Sequence, residues 1–519
     1  MKTSAKLCFL LALTLMASAL GACVAPPSIP TFTPPSMPAF TPPNITMPSP
    51  PTAPKIIFTV TVPAVTPPED VVYLRTGTGQ DIRMDRIDRL TWQVEYTPAA
   101  GIPMTYGYHR NDVGYEASEE ISASDTEQDW YKKRTVSANI SQTVMQKDEV
   151  KKWRWLLNEP PKVTLVKEIA EYLPRVSGWS FQKGIYVIDY WWDVFFTNGE
   201  TENTVERIKQ DNATFVQYSP TWALKFDDSG ITLDKTIGYG YPEEAIRYET
   251  KTARKAGLKV VWRNQVWMEI PPEEVNKTRS AEWWEQYYNV RRQYLMEMAV
   301  LAAEEGVEAL CIGGDSDSLT GFTTWGSAPP ESWARWMEDI QEVRKIFNGQ
   351  IYYDFIAGGR MEEAWEPDWV KWQPILDEID FIGVSWWKGV SRSNDATMME
   401  LKQNIAEQFD RYLKPVYERT GKPVVLVGVV FPSADGGTTG KYDWNARETD
   451  VWKPDDGTFN DFQEQADAFE AIMSAVATRP WIAGVYPFGF WRHDQQDKGP
   501  NIRGKPAEEV LKKWYGNIK

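Results

Sequence analysis

Two histidines, His109 and His493, and three cysteines, Cys8, Cys23 and Cys311, serve a chain of 519 residues. Cys8 and Cys23 fall in the N-terminal leader, so Cys311 stands alone in the rest and no disulfide framework can form there. Zinc needs more His and Cys ligands than remain, and no other metal or cofactor is expected. Positive charge is also short: 56 Lys and Arg against 72 Asp and Glu give a formal charge of -16 and a pI near 4.9. That balance excludes nucleic acid as a partner and excludes anionic lipid held by charge alone. Long apolar runs are missing as well. The one candidate, CFLLALTLMASAL from Cys8, is too short to span a bilayer. What is abundant is aromatic surface, with 25 Trp, 23 Tyr and 20 Phe. Most of these rings belong in a core, and those left in loops suit stacking on sugar rings.

Residues 1–22 read as a signal peptide, with Lys2 and Lys6 before the apolar run. The run ends in Leu20-Gly21-Ala22-Cys23, which resembles the bacterial lipobox. The resemblance implies cleavage before Cys23, lipidation of that cysteine, and a protein held on a membrane of the bacterial cell envelope, outside the cytoplasm. Residues 23–54 are proline-rich, without charge, and carry an imperfect FTPP repeat. Such a segment is an extended, semi-rigid spacer that lifts a folded unit off the surface.

Residues 55–155 read as an all-β sandwich. KIIFTVTVP alternates apolar and polar, and DVVYLRTG, RLTWQVEYTP and MTYGYHRND come after it at short spacing between turn residues. Residues 160–519 alternate near-continuous apolar strands with amphipathic helices. The strands are expected at 183–190, 213–219, 259–265, 308–314, 350–355, 380–386, 422–430 and 481–489. Eight such strands, each followed by a helix, predict an α/β fold, a (β/α)8 TIM barrel.

The site of such a barrel lies at the C-terminal ends of its strands. That rule gathers Asp189 after the first strand, Trp222 after the second, Arg263 and Gln265 at the third, and Asp315 and Asp317 after the fourth. Tyr353 and Asp354 end the fifth strand, Trp386 and Trp387 the sixth, and Trp491 comes after the eighth. Carboxylates ringed by aromatics suit glycoside cleavage, which needs one carboxylic acid for the leaving oxygen and a second carboxylate to attack or to activate water. Asp315, Asp317 and Asp189 are the candidate catalysts, and the others are candidate contacts to a polysaccharide or oligosaccharide. The same acids at strand ends also suit helix caps and turns. Asp315-Ser-Asp317-Ser starts like an EF-hand loop, but Leu319, Thr320 and Gly326 stand where ligands and a glycine belong.

Two family resemblances refine these readings. FTVTVPAVTPPEDVVYL, LTWQVEYTPAAGIPMTYGYHR and RTVSANISQTVMQKDEVKKWRW resemble carbohydrate-binding module family 20. That implies a starch-type glucan site, for which Tyr115 and Trp130 are the candidate stacking rings. A Gly-x-Trp loop of such modules is replaced here by Arg75-Thr76-Gly77-Thr78-Gly79.

The barrel resembles the clan A glycoside hydrolases, and within them family 113, whose known members are largely β-mannanases. AGLKVVWRNQVWM, GVEALCIGGDSDS, IDFIGVSWW, TGKPVVLVGVVFPSADG, WIAGVYPFGFW and IRGKPAEEVLKKWY carry the likeness. The resemblance implies a glutamate acid/base where Asp315 stands and a glutamate nucleophile where Gly428 stands. With no side chain at 428 the covalent retaining mechanism is not carried over. Three readings stay open from the sequence: a glycoside hydrolase with an altered site, a polysaccharide-binding lipoprotein with a silent barrel, and a structural surface protein.

Overall fold

The computed structural model describes residues 55–518 apart from 99–102, 112–113, 123–125, 127, 138–142, 170, 177, 188–198, 228–229, 236–241, 269–278, 315–331 and 441–459. The leader, the lipidation candidate Cys23 and the spacer therefore lie outside the described residues. Among the described residues no helix is long and apolar enough to cross a membrane.

The N-terminal part is strand-rich. It holds β1 (Ile56–Thr61), β2 (Val72–Thr76), β3 (Asp81–Arg83), β4 (Asp85–Arg86), β5 (Thr91–Tyr96), β6 (Met104–Arg110), β7 (Arg134–Val136) and β8 (Val144–Glu149). They form two four-stranded sheets, ordered β4-β5-β1-β8 and β3-β2-β6-β7. The alternation read in IIFTVT works as expected, because successive side chains of a strand face opposite sides. Ile56, Phe58 and Val60 enter a core with Val72, Leu74, Trp92 and Trp153. The hydroxyls of Tyr106 and Tyr108 both donate to Asp148 Oδ2, at 2.8 and 2.7 Å, so these half-polar rings are buried with their oxygens satisfied.

The C-terminal part is a closed, eight-stranded parallel barrel, the (β/α)8 architecture the strand pattern predicts. Its strands are β9 (Gln182–Val187), β10 (Phe215–Tyr218), β13 (Lys259–Trp262), β15 (Ala309–Cys311), β16 (Gln350–Ala357), β17 (Phe381–Trp386), β18 (Val424–Val429) and β19 (Ile482–Phe490). A separate three-stranded sheet, β12-β11-β14, stands beside it, built from β11 (Thr221–Asp227), β12 (Gly230–Asp234) and β14 (Gln265–Met268). The strand expected over 259–265 is thus two strands, the barrel's and the side sheet's.

Both faces of the barrel strands are buried, which explains their continuous apolar runs. Tyr186, Phe215, Val261, Cys311, Tyr352, Val425, Val427 and Tyr486 fill the interior. Ile185, Val216, Trp262, Tyr353, Val384, Trp386 and Leu426 face the helices. Cys311 is a buried free thiol in that interior, a small apolar filler.

The helices include α1 (Glu200–Gln210), α2 (Glu243–Lys255) and α3 (Ala281–Glu305). The Ser280 side chain caps α3 by accepting from the Trp283 amide, and Gly306 ends it at φ 64, a left-handed conformation that favours glycine. Leu295, Met298, Ala299 and Ala302 are buried on one stripe, as their spacing requires.

The distinctive RGKPAEEVL run is a fastener for the loop after β19. Lys505 and Asp497 are wholly buried and paired at 2.7 Å, and the ammonium also donates to Ser433 Oγ and to the Gly499 carbonyl. Glu508 accepts from the Gly504 amide and takes both Nε and Nη2 of Arg207 on α1.

Candidate active site

Strand alternation sends Tyr352 and Asp354 into the barrel and Tyr353 outward. Asp354 is fully buried, and its Oδ2 accepts from Arg263 Nε at 2.6 Å and from Ser385 Oγ at 2.9 Å. Arg263 comes directly after β13 and also reaches the hydroxyl of Tyr186, at 3.4 Å. That hydroxyl is shared with Ser219 Oγ at 2.5 Å. Burial pushes the Tyr186 phenol up, so it stays neutral and keeps its proton for hydrogen bonding. These five residues make a polar layer across the interior near the C-terminal ends of the strands. Its ion pair is buried on both sides, with side chains 5% and 1% exposed, which is tolerable only because each charge has its partner. Asp354 Oδ1 has no hydrogen-bond partner among the described residues.

Beside this layer two glycines mark close approaches. A Cβ on Gly428 would stand 2.8 Å from Ser385 Oγ. The pairing of β17 with β18 runs Val384 to Leu426 and then Ser385 to Gly428, so Val427 is bulged out of register there. A Cβ on Gly314 would stand 2.9 Å from the Asp354 carbonyl oxygen. The space that a side chain at 428 would enter therefore holds the serine that pins Asp354.

The expected contacts divide. Arg263 and Asp354 come together as described. Trp387 is half-buried and lines the interior against Phe488, with ring centres 6.0 Å apart. Trp491 is half-buried on the loop after β19, its amide on Asn501 Oδ1 at 3.1 Å. Asp315, Asp317 and Asp189 lie outside the described residues.

Other rings are corrected. Tyr353 and Trp386 point away from the interior into the layer beneath the helices, where Tyr353 packs on Phe355 and Trp372 and Trp386 packs on Phe409. Trp222 is in the side sheet, fully buried against Tyr294, with the Lys235 ammonium 4.4 Å from its ring centre. Gln265 opens the side-sheet strand β14, its backbone paired with Thr221, and does not end a barrel strand. In the sandwich, Trp130 is 2% exposed and wedged against His109 and Tyr131, so it offers no stacking face. The ring of Tyr115 carries the Arg154 guanidinium 4.1 Å from its centre. The sequence places each of these aromatic residues at a strand end or in a loop, which cannot say which face the ring takes.

Tyr186, Ser219 and Ser385 are the members that the sequence reasoning missed. Ser385 had a signal: it is the polar interruption of the apolar run FIGVSW, at an inward position.

A further acidic group joins the loop after β18 to the start of the helix Phe462–Ala477. Carboxylate oxygens of Asp435, Asp461 and Glu464 fall within 4.8 Å of one another. Glu464 already accepts from the Gly436 and Thr438 amides and the Thr438 hydroxyl, and Asp461 caps the helix Phe462–Ala477. The group holds the loop's shape.

A closed, parallel eight-stranded barrel with a charged layer near the C-terminal ends of its strands is the (β/α)8 architecture, which carries its sites at that end. The family model of glycoside hydrolase family 113 matches residues 194–502, and the chain belongs to that family. Among solved structures, the GH113 β-mannanase AaManA from Alicyclobacillus acidocaldarius, in complex with ManMIm, is 19% identical. The match covers 66% of this chain and 99% of that one, with a TM-score of 0.51. A second, described as a complex of a GH113 β-1,4-mannanase, is 18% identical over 65% of this chain and 99% of its own, with a TM-score of 0.50. These likenesses show the barrel fold. No curated protein matches the chain.

Proposed function

We propose that this protein is a surface-anchored glycoside hydrolase that cleaves a β-mannan or a related β-linked glucan without a covalent glycosyl-enzyme intermediate. The observation that carries the reading is the bare Gly428, whose neighbour Ser385 pins the buried carboxylate of Asp354 inside the barrel. A retaining enzyme needs two carboxyl groups about 5–5.5 Å apart, one of them a nucleophile. Here Asp315 gives its proton to the glycosidic oxygen as the bond to the anomeric carbon breaks. Water attacks the opposite face and loses its proton to a second rim carboxylate, Asp189, Asp317 or Asp354, so the anomeric centre inverts. Family membership and the two neighbours described as β-mannanases favour mannan among the β-linked glycans.

The test is proton NMR of the anomers released from β-mannan by the full chain. The inverted anomer appearing first, and no release by Asp315→Asn, support the reading; a retained anomer, or an unchanged rate in that variant, overturns it.

A second reading is favoured by the serine that fills the space beside Gly428: a barrel that binds polysaccharide and leaves it intact. It predicts retardation in a mannan-containing gel with no sugar released.

The anchor is part of the proposal. Leu20-Gly21-Ala22-Cys23 and the charge-free proline-rich spacer support a lipid-tethered protein displayed outside the cytoplasm. Cys23→Ser should move the protein from the membrane fraction to the soluble one, and persistence with the membrane would remove the lipid from the account. For the sandwich, whose candidate ring Trp130 is covered, we propose no sugar contact through Trp130.

A further inference from the structure

The β-sandwich meets the barrel on the loop that carries Trp491, and it does so with buried charge. Arg110, at the end of β6, is wholly buried with its Nη1 on Asp70 Oδ2 at 2.5 Å. Asp70 Oδ1 takes Asn111 Nδ2 at 2.6 Å, and Asn111 Oδ1 takes the Val71 amide at 2.8 Å. This clamp leaves Arg110 Nη2 to cross to the barrel, where it donates to the Asp494 carbonyl at 3.1 Å.

The Asp494 side chain then holds Arg503, at 3.2 Å from Nε. Arg503 Nη1 donates to the Trp491 carbonyl and to Thr204 Oγ1 on α1, both at 3.1 Å. Glu69, next to Asp70, lies 3.9 Å from both Arg207 and Arg503, so acids of the sandwich face bases of the barrel. His493 is buried in the same place, and burial, helped by Arg110 and Arg503, holds it neutral.

A second, separate tie lies a few residues on. Gln496 donates its amide to the Trp155 carbonyl at 2.6 Å and accepts the Leu157 amide on its side chain at 2.8 Å. Its Nε2 goes to the Gly504 carbonyl at 2.7 Å. Trp155 sits at φ 55, a left-handed conformation that costs a non-glycine residue on the order of 1 kcal/mol. The sandwich's last segment keeps that conformation where its carbonyl meets the barrel loop.

We infer that the sandwich is a positioning element for the barrel's rim: Arg110, through Asp494 and Arg503, and Trp155 with Leu157, through Gln496, order the loop Trp491–Arg503 and set the place of Trp491. Among the described residues Arg110 touches no member of the polar layer, so it is a positioning residue. The inference does not depend on whether the glycan is cleaved or only bound.

Hydrogen exchange of the full chain, read by mass spectrometry, tests it. In Arg110→Ala, peptides from 490–503 should exchange at least tenfold faster, while those from β9 and β18 keep wild-type protection. Arg110→Lys, which keeps the charge but lacks the fork that serves Asp70 and Asp494 together, should fall between. Gln496→Ala lies in the barrel loop, keeps the Arg110 clamp and removes the side-chain contacts to Leu157 and Gly504, and it should loosen the same loop, which keeps the test decisive if Arg110→Ala does not fold. Wild-type protection of 490–503 in the folded variants, or an equal loss of protection in every barrel strand, would overturn the inference.

Discussion

Ser385 Oγ stands 2.8 Å from where a Cβ on Gly428 would be, and the same hydroxyl holds Asp354 at 2.9 Å. The glycine and the serine are one unit, because a side chain at 428 has to push the serine off the aspartate. Gly428→Ala should therefore destabilise the barrel by about 1–3 kcal/mol, the usual cost of overpacking a core. Combining it with Ser385→Gly should recover part of that loss, since neighbouring sites are not additive. Denaturant unfolding of the two single variants and the double variant checks this, and simple additivity would deny the coupling. For the same reason Gly428→Glu alone should not create a retaining enzyme.

The pair of Arg263 and Asp354 is buried on both sides, so removing one charge leaves the other stranded. Arg263→Met should cost about 3–5 kcal/mol, whereas Arg263→Met with Asp354→Leu should cost far less. Urea unfolding at neutral pH measures both. Equal losses would mean that the charges do not depend on each other.

The corrected rings separate stability from sugar binding. Trp386→Ala and Tyr353→Ala should each lose about 3–5 kcal/mol of stability, as large core truncations do, without changing mannan affinity per folded molecule. Trp387→Ala, at a half-buried interior position, should weaken mannan retardation in a gel. Unchanged retardation in Trp387→Ala, measured alongside its melting temperature, would take that ring out of the site.

Asp494 supplies a pH dependence with a definite sign. Burial pushes its carboxyl up to about 6, with Glu508 and Asp70 adding to the rise and Arg503 and Arg207 opposing it. The folded chain then keeps a proton that the unfolded chain releases near its ordinary value of about 4. The resulting stability is full below about pH 4 and is lost as pH rises through about 6, a change on the order of 3 kcal/mol. Asp494→Asn should remove that slope. Unfolding free energies at several pH values across the window test it, and parallel curves for the two proteins would exclude Asp494 as the source.

Much of the architecture is written locally. IIFTVT, VVLVGVV and the stripe of Leu295, Met298, Ala299 and Ala302 each carry the period of the element they form, so strands, helices and barrel can be read without a partner in view. The polar layer is half legible: Arg263 follows its strand and Asp354 lies within the fifth, but nothing in the chain order says that they meet. Ser385 is hidden inside an apolar run. The tryptophans mislead because a strand end fixes height on the barrel, while the face taken depends on one residue of register.

The sequence by itself determined the eight-stranded barrel, the strand-rich N-terminal part and the bare position at Gly428, since these come from periodicity and residue identity along one segment. Only the tertiary structure decided that Ser385 fills the space beside Gly428, that Trp222, Tyr353 and Trp386 are core, and that Arg110 reaches across to Asp494. Each of those is a contact between segments far apart in the chain, fixed by barrel closure and domain packing, which no local pattern encodes.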